Sequence, residues 1–94
     1  MNILFTKEAS LELDDAVIFY ELEQKGLGLL FKREVKRMLL LIRQYPEIGP
    51  TEDLSIRHIL LHKFPHKILY SIEVTNIIVL AIAHQHRKPN YWVD

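Results

Sequence analysis

Apolar positions repeat with two different periods along this chain, and the change between them separates a helical part from a stranded part. Ile3, Leu4 and Phe5 form a short apolar run that predicts a first strand. Over residues 7 to about 24, Ala9, Leu13, Ala16, Val17 and Tyr20 return to one side at about 100° per residue, the spacing of a helix with one buried face. Thr6 stands where an N-cap belongs, and Glu8 lies near the positive end of the helix. Gly26 and Gly28 close the helix, because glycine tolerates the left-handed backbone that follows a helix C-terminus. A second helix is predicted over about residues 29–44, with Phe31, Val35, Met38, Leu39 and Ile42 as its core stripe and Pro46 as its stop. The connection is short, so the two helices form an antiparallel hairpin. Two prolines and a glycine make residues 45–50 irregular.

Beyond Leu54 the period becomes two. Residues 55–61 are rich in branched aliphatics, and Phe64-Pro65 interrupts them. Ile68, Tyr70, Ile72 and Val74 then alternate onto one face over residues 67–74. Thr75-Asn76 suits a tight turn, and residues 77–83 are apolar on both faces, as expected of a strand covered on both sides. The expected order is β-α-α-β-β-β. It predicts an α+β fold, one domain over residues 1–94, with the N-terminal helical hairpin packed on one face of a small antiparallel sheet.

Composition narrows the function classes. A content of 49% hydrophobic and 26% charged residues describes a globular chain rather than a disordered one. The absence of cysteine excludes disulfides and thiolate metal sites, and fits a reducing cytoplasm. The five histidines, His58, His62, His66, His84 and His86, have no carboxylate close in sequence to complete a ligand set, so no metal is expected. No apolar run approaches the roughly 18–20 residues of a membrane span, and the first residues do not resemble a signal peptide. There is no glycine-rich phosphate loop and no serine elbow, so neither a cofactor nor a small-molecule substrate is expected.

Charge is unevenly spread. Residues 1–54 carry seven Lys/Arg against ten Asp/Glu, whereas residues 55–94 carry five against two and hold every histidine. Arg57, Lys63, Lys67, Arg87 and Lys88 lie in or beside the predicted strands, and a cationic sheet surface suits a nucleic-acid backbone. The last predicted strand runs into His84-Gln85-His86-Arg87-Lys88-Pro89-Asn90-Tyr91-Trp92, which concentrates cations and aromatics at a strand end. In the first helix, Leu11, Ile18 and Leu22 fall about 150–190° from the core stripe and should face solvent. Glu12, Asp14, Asp15, Glu21 and Glu23 rim them, as at a partner surface. The second helix carries Lys32, Arg33, Lys36, Arg37 and Arg43 against only Glu34, a surface that attracts an acidic segment.

Taken in order, these pieces resemble the RelE/ParE superfamily, the toxins of bacterial type II toxin–antitoxin (plasmid stabilisation) modules. The resemblance spans nearly the whole chain. It is carried by Glu8-Ala9, Tyr20 ahead of Gly26-Leu27-Gly28, Phe31 with Val35, Ile56-Arg57, Phe64-Pro65 before Ile68-Leu69-Tyr70, Leu80-Ala81-Ile82-Ala83-His84, and Arg87-Lys88-Pro89-Asn90-Tyr91-Trp92. It implies a cytoplasmic toxin that arrests growth and is neutralised by a cognate antitoxin, with Leu11, Ile18, Leu22, Lys32 and Lys36 as the antitoxin-binding surface. One branch of the superfamily inhibits DNA gyrase; another cleaves mRNA on the ribosome; a non-toxic protein-binding module of the same fold, which would need only the apolar stripe, is a further alternative. In the ribonuclease branch, Lys67 would stand for a strand arginine, Arg87 for a second arginine and Tyr91 for the tyrosine of the catalytic set. The neutral charge, Phe64-Pro65 and the His84…Arg87-Lys88-Pro89 ending look more like the gyrase-inhibiting branch. There the target-binding residues are expected to be Arg57, Lys63, His84, His86, Arg87, Lys88 and Trp92.

Overall fold

Thr6 starts the first helix as its side chain predicts: its backbone is extended, and its hydroxyl accepts the Ala9 amide at 3.0 Å. In the computed structural model, which describes residues 1–85, the elements are β1 (Asn2–Phe5), α1 (Lys7–Glu23), α2 (Leu27–Gln44), β2 (Thr51–Asp53), β3 (Ile56–Leu60), β4 (His66–Ile72) and β5 (Asn76–His84). Between the helices Gly26 adopts φ 89°, a left-handed turn that lets α2 begin at once. The Glu21 carboxylate accepts the Gly26 and Gly28 amides at 2.9 and 3.0 Å, so a side chain of α1 caps the free amides of α2. A Cβ on Gly28 would stand 2.5 Å from the Val17 carbonyl oxygen, and the helices therefore cross where only glycine fits.

The sheet has five strands in the order β1-β5-β4-β3-β2. β3, β4 and β5 form the expected antiparallel meander, but β1 joins β5 in parallel, Ile3 beside Ile77, and makes the sheet mixed. β2 is a further edge strand, antiparallel to β3. The hairpin lies on one face. Phe31, Val35, Met38 and Ile42 of α2 and Ala9 of α1 are buried there against Ile68, Tyr70, Ile77, Val79 and Ile82. Leu69, Ala81 and Ala83 form a smaller cluster on the opposite face.

A bulge in β5 explains how that strand serves both faces. Leu69 pairs with Ala81 and Tyr70 with Val79, which leaves Leu80 without a partner and inverts the alternation beyond it. α1 is fastened to this irregularity. The Thr6 hydroxyl donates to the Leu80 carbonyl at 3.3 Å, and Glu12 accepts the Ile82 amide at 2.9 Å. β4 ends at Ile72, so Val74, expected on the core face, lies beyond the strand and is exposed.

Glu34, the single acid of α2, turns inward. It is 6% exposed, accepts the His62 amide at 3.0 Å, and is held by the Arg37 guanidinium at 3.0 and 3.1 Å. Burial alone would raise its pKa, but the His62 amide and Arg37 outweigh burial and hold the carboxyl below its ordinary value. The ionised carboxylate ties α2 to the turn between β3 and β4.

Candidate functional site

The strand register separates the two cations that the sequence groups together. Arg57 pairs with Tyr70 and shares its helix-side face, whereas Lys67 pairs with Leu60 and Ala83 on the far face. Arg57 is spent on the chain itself. Its Nη1 donates to the carbonyls of Glu47 and Gly49 at 3.2 and 2.7 Å. Beside it the Tyr70 hydroxyl donates to the Pro46 carbonyl at 2.7 Å and accepts the Gly49 amide at 3.1 Å. Together the two side chains lace the irregular 45–50 loop to the sheet.

Lys67 is also engaged. Its Nζ lies 2.9 Å from Glu52 Oε1 of β2, and the two side chains are only 12% and 23% exposed. His58 Nδ1 lies 3.8 Å from the same oxygen and is buried without a hydrogen-bond partner. The sequence alone gives Glu52 no role and brings in His58 only among the histidines weighed as metal ligands. Glu52 sits in a strand of three polar residues, Thr-Glu-Asp, which carries no apolar alternation to announce it.

At the other end of the sheet, Lys63 is exposed in the turn between β3 and β4, and His84 is exposed at the end of β5. His84 pairs with His66, their rings 5.5 Å apart. His66 packs against Tyr20 and Phe31, with the Tyr20 hydroxyl 3.4 Å from its Nδ1. Burial, with the nearby His84, lowers its pKa to about 4 and keeps the ring neutral at pH 7. Burial and Glu23 push the Tyr20 phenol upward, so it remains protonated as well. Of the expected catalytic set only Lys67 is among the described residues. Arg87 and Tyr91 lie outside them, as do His86, Lys88 and Trp92 of the expected target surface. Among the described residues no group of three or more His, Asp or Glu is arranged to hold a metal ion. No helix there is long and apolar enough to cross a membrane.

The outer face of the hairpin has the expected character. Leu11, Ile18 and Leu22 are 53%, 58% and 84% exposed, and Phe19 beside them is exposed too. With Glu34 turned inward, every charge on the exposed surface of α2 is positive: Lys32, Arg33, Lys36, Arg37 and Arg43. The described surface also has a cleft of about 430 Å³ bordered by Met1, Tyr45, Ile48 and Ile72, and it contains none of the expected site residues.

An N-terminal helical hairpin on a five-stranded mixed sheet, with an apolar stripe on its outer side, is the form of a small toxin of the RelE/ParE type. Residues 3–89 match the family described as the ParE toxin of type II toxin–antitoxin systems, parDE, and the chain belongs to that family. Its role is that of the toxin of a type II pair, in which an antitoxin is the partner. Among solved structures it is similar to a chain of the chromosomal ParDE toxin–antitoxin system from P. aeruginosa, with a TM-score of 0.78 and 19% identity over 89% of this chain and 95% of that chain. At that identity the likeness concerns the fold. No curated protein matches the chain.

Proposed function

We propose that this toxin arrests growth in the cytoplasm by inhibiting DNA gyrase, and that its antitoxin neutralises it by covering the outer side of the helical hairpin. The observation that favours gyrase over mRNA is the engagement of Lys67 by Glu52 at 2.9 Å. A ribonuclease must hold cations free to meet the charge that builds on the scissile phosphate. Lys67 is already neutralised, and Arg57, on the other face, is committed to two carbonyl groups. Recognition of a protein target requires no such free constellation, and Lys63 and His84, with His86, Arg87, Lys88 and Trp92 of the following segment, are its proposed contacts. Induced expression should then raise DNA-damage signalling and leave transcripts intact. Transcripts cut with ribosome-phased ends, without that signalling, would replace this reading with the ribonuclease one, in which Lys67, Arg87 and Tyr91 form the catalytic set.

For the antitoxin, the stripe Leu11, Ile18 and Leu22 suits an amphipathic helix laid along α1. Lys32 and Lys36, four residues apart on α2 and both exposed, suit an acidic stretch of the same segment.

A further inference from the structure

We propose that Glu52 is an electrostatic gate that keeps the far face of the sheet from binding nucleic acid. This inference rests on the reading that the toxin acts on a protein. β2 has three exposed residues and adds nothing to the hydrophobic core. What it contributes is a carboxylate. Thr51 pairs with Arg57 and Asp53 with Ile56, so consecutive residues of β3 face alternate residues of β2, and Glu52 is the extra residue of a bulge. Bulges turn a side chain away from its regular direction. The chain then reverses at Leu54, whose φ of 46° is the single left-handed value outside glycine among the described residues. This irregular hairpin brings Glu52 Oε1 to 2.9 Å from Lys67 Nζ and 3.8 Å from His58 Nδ1.

The same arrangement determines the electrostatics. The Lys67 and Glu52 side chains are only 12% and 23% exposed although Glu52 as a residue lies on an exposed strand, so the pair is screened less than a fully solvated one and a phosphate would have to displace a carboxylate already seated on the amine. Glu52 cancels the positive charge of Lys67 and also stands 3.8 Å from His58 Nδ1. Without the carboxylate, Lys67 would present an uncompensated ammonium.

The test compares Glu52→Gln with the unaltered toxin. Glutamine keeps the size and can still accept a hydrogen bond from Lys67, but carries no charge. Binding of a fluorescein-labelled oligouridylate is followed by anisotropy across a salt series. Release of one further counterion steepens the slope of log K against log salt by about 0.7, equivalent to roughly eightfold tighter binding at about 50 mM salt. Glu52→Ala should show the same gain, and Glu52→Gln combined with Lys67→Met should lose it. Unchanged affinity in both Glu52 variants overturns the gate. So does weaker RNA binding by Lys67→Met alone, since Lys67 would then already be available. Gyrase inhibition by the unaltered toxin is measured separately: its absence overturns the proposed function and leaves the RNA comparison interpretable.

Discussion

Replacing Leu22 by aspartate should separate antitoxin binding from folding. Leu22 lies on the last turns of α1 and is 84% exposed, so the free toxin gains little from its burial. A leucine-sized side chain contributes about 1.5–3 kcal/mol when fully buried, and the exposed share of Leu22 leaves about 1.3–2.5 kcal/mol for a partner to realise. An aspartate on that spot adds about 1–3 kcal/mol for a polar group desolvated without a partner. The combined loss of about 2–5 kcal/mol corresponds to a weakening of Kd by about thirtyfold to several thousandfold. Titration calorimetry of the toxin with its antitoxin reads this directly, and the melting temperature of the free variant serves as control. A Kd within threefold of the unaltered value refutes the docking surface. A fall in melting temperature by more than about 5 °C, equivalent to more than about 1 kcal/mol in a chain of this size, refutes the premise that Leu22 is idle in the free toxin.

Other outcomes follow from the packing and the charges. Gly28→Ala should destabilise the hairpin by about 1–2 kcal/mol, because overpacking against the Val17 carbonyl outweighs the gain of about 1 kcal/mol in helix propensity; an unchanged or higher melting temperature would show that the helices can move apart at no loss. Acid should weaken the fold through His66. Its folded pKa is near 4 against an ordinary 6.5, so the unfolded chain takes up the proton first and stability falls as pH drops from 6.5 towards 4. Allowing for its partial exposure, the loss is about 1–2 kcal/mol. Glu34 adds to it in the lower part of that window, because its folded pKa lies below its ordinary value. A His66→Phe variant should have a flatter melting profile between pH 6.5 and 5; a parallel profile would remove His66 from the explanation.

The helical half was legible because a 3.6-residue period needs no knowledge of distant partners. The inward stripe of Ala9, Leu13, Ala16, Val17 and Tyr20 and the outward Leu11, Ile18 and Leu22 follow from one rotation per residue, and both sets lie where that rotation puts them. The strands were legible as segments but not as neighbours. Nothing near Ile3 announces that its partner is Ile77 and that the two run parallel. The apolar run in β5 concealed a bulge at Leu80, since residues apolar on both faces give no alternation to break. β2 has no apolar alternation to announce it: Thr51, Glu52 and Asp53 add nothing to the hydrophobic core, and the strand is held by the pairing of Thr51 and Asp53 with β3 and by the Glu52–Lys67 ion pair.

The same limit applied to the cationic surface. Composition places Arg57 and Lys67 together, but only the register shows that Tyr70 is opposite one and Ala83 opposite the other, on different faces. The partners that engage them, a carboxylate on an unannounced edge strand for Lys67 and two loop carbonyls for Arg57, are tertiary contacts with no local signature. Glu34 is the mirror case. A lone acid in a basic helix reads as a surface residue, and it is instead buried because the His62 amide and Arg37 satisfy it.

A reconstituted supercoiling reaction distinguishes a toxin that stops gyrase, as proposed, from one that cuts RNA. Relaxed plasmid, ATP and purified gyrase are incubated with increasing amounts of the toxin, with and without its antitoxin. The plasmid should stay relaxed or become cleaved as the toxin rises, and supercoiling should be restored when the antitoxin is added. Undiminished supercoiling at every concentration, by a toxin that still arrests growth in cells, would contradict that proposal.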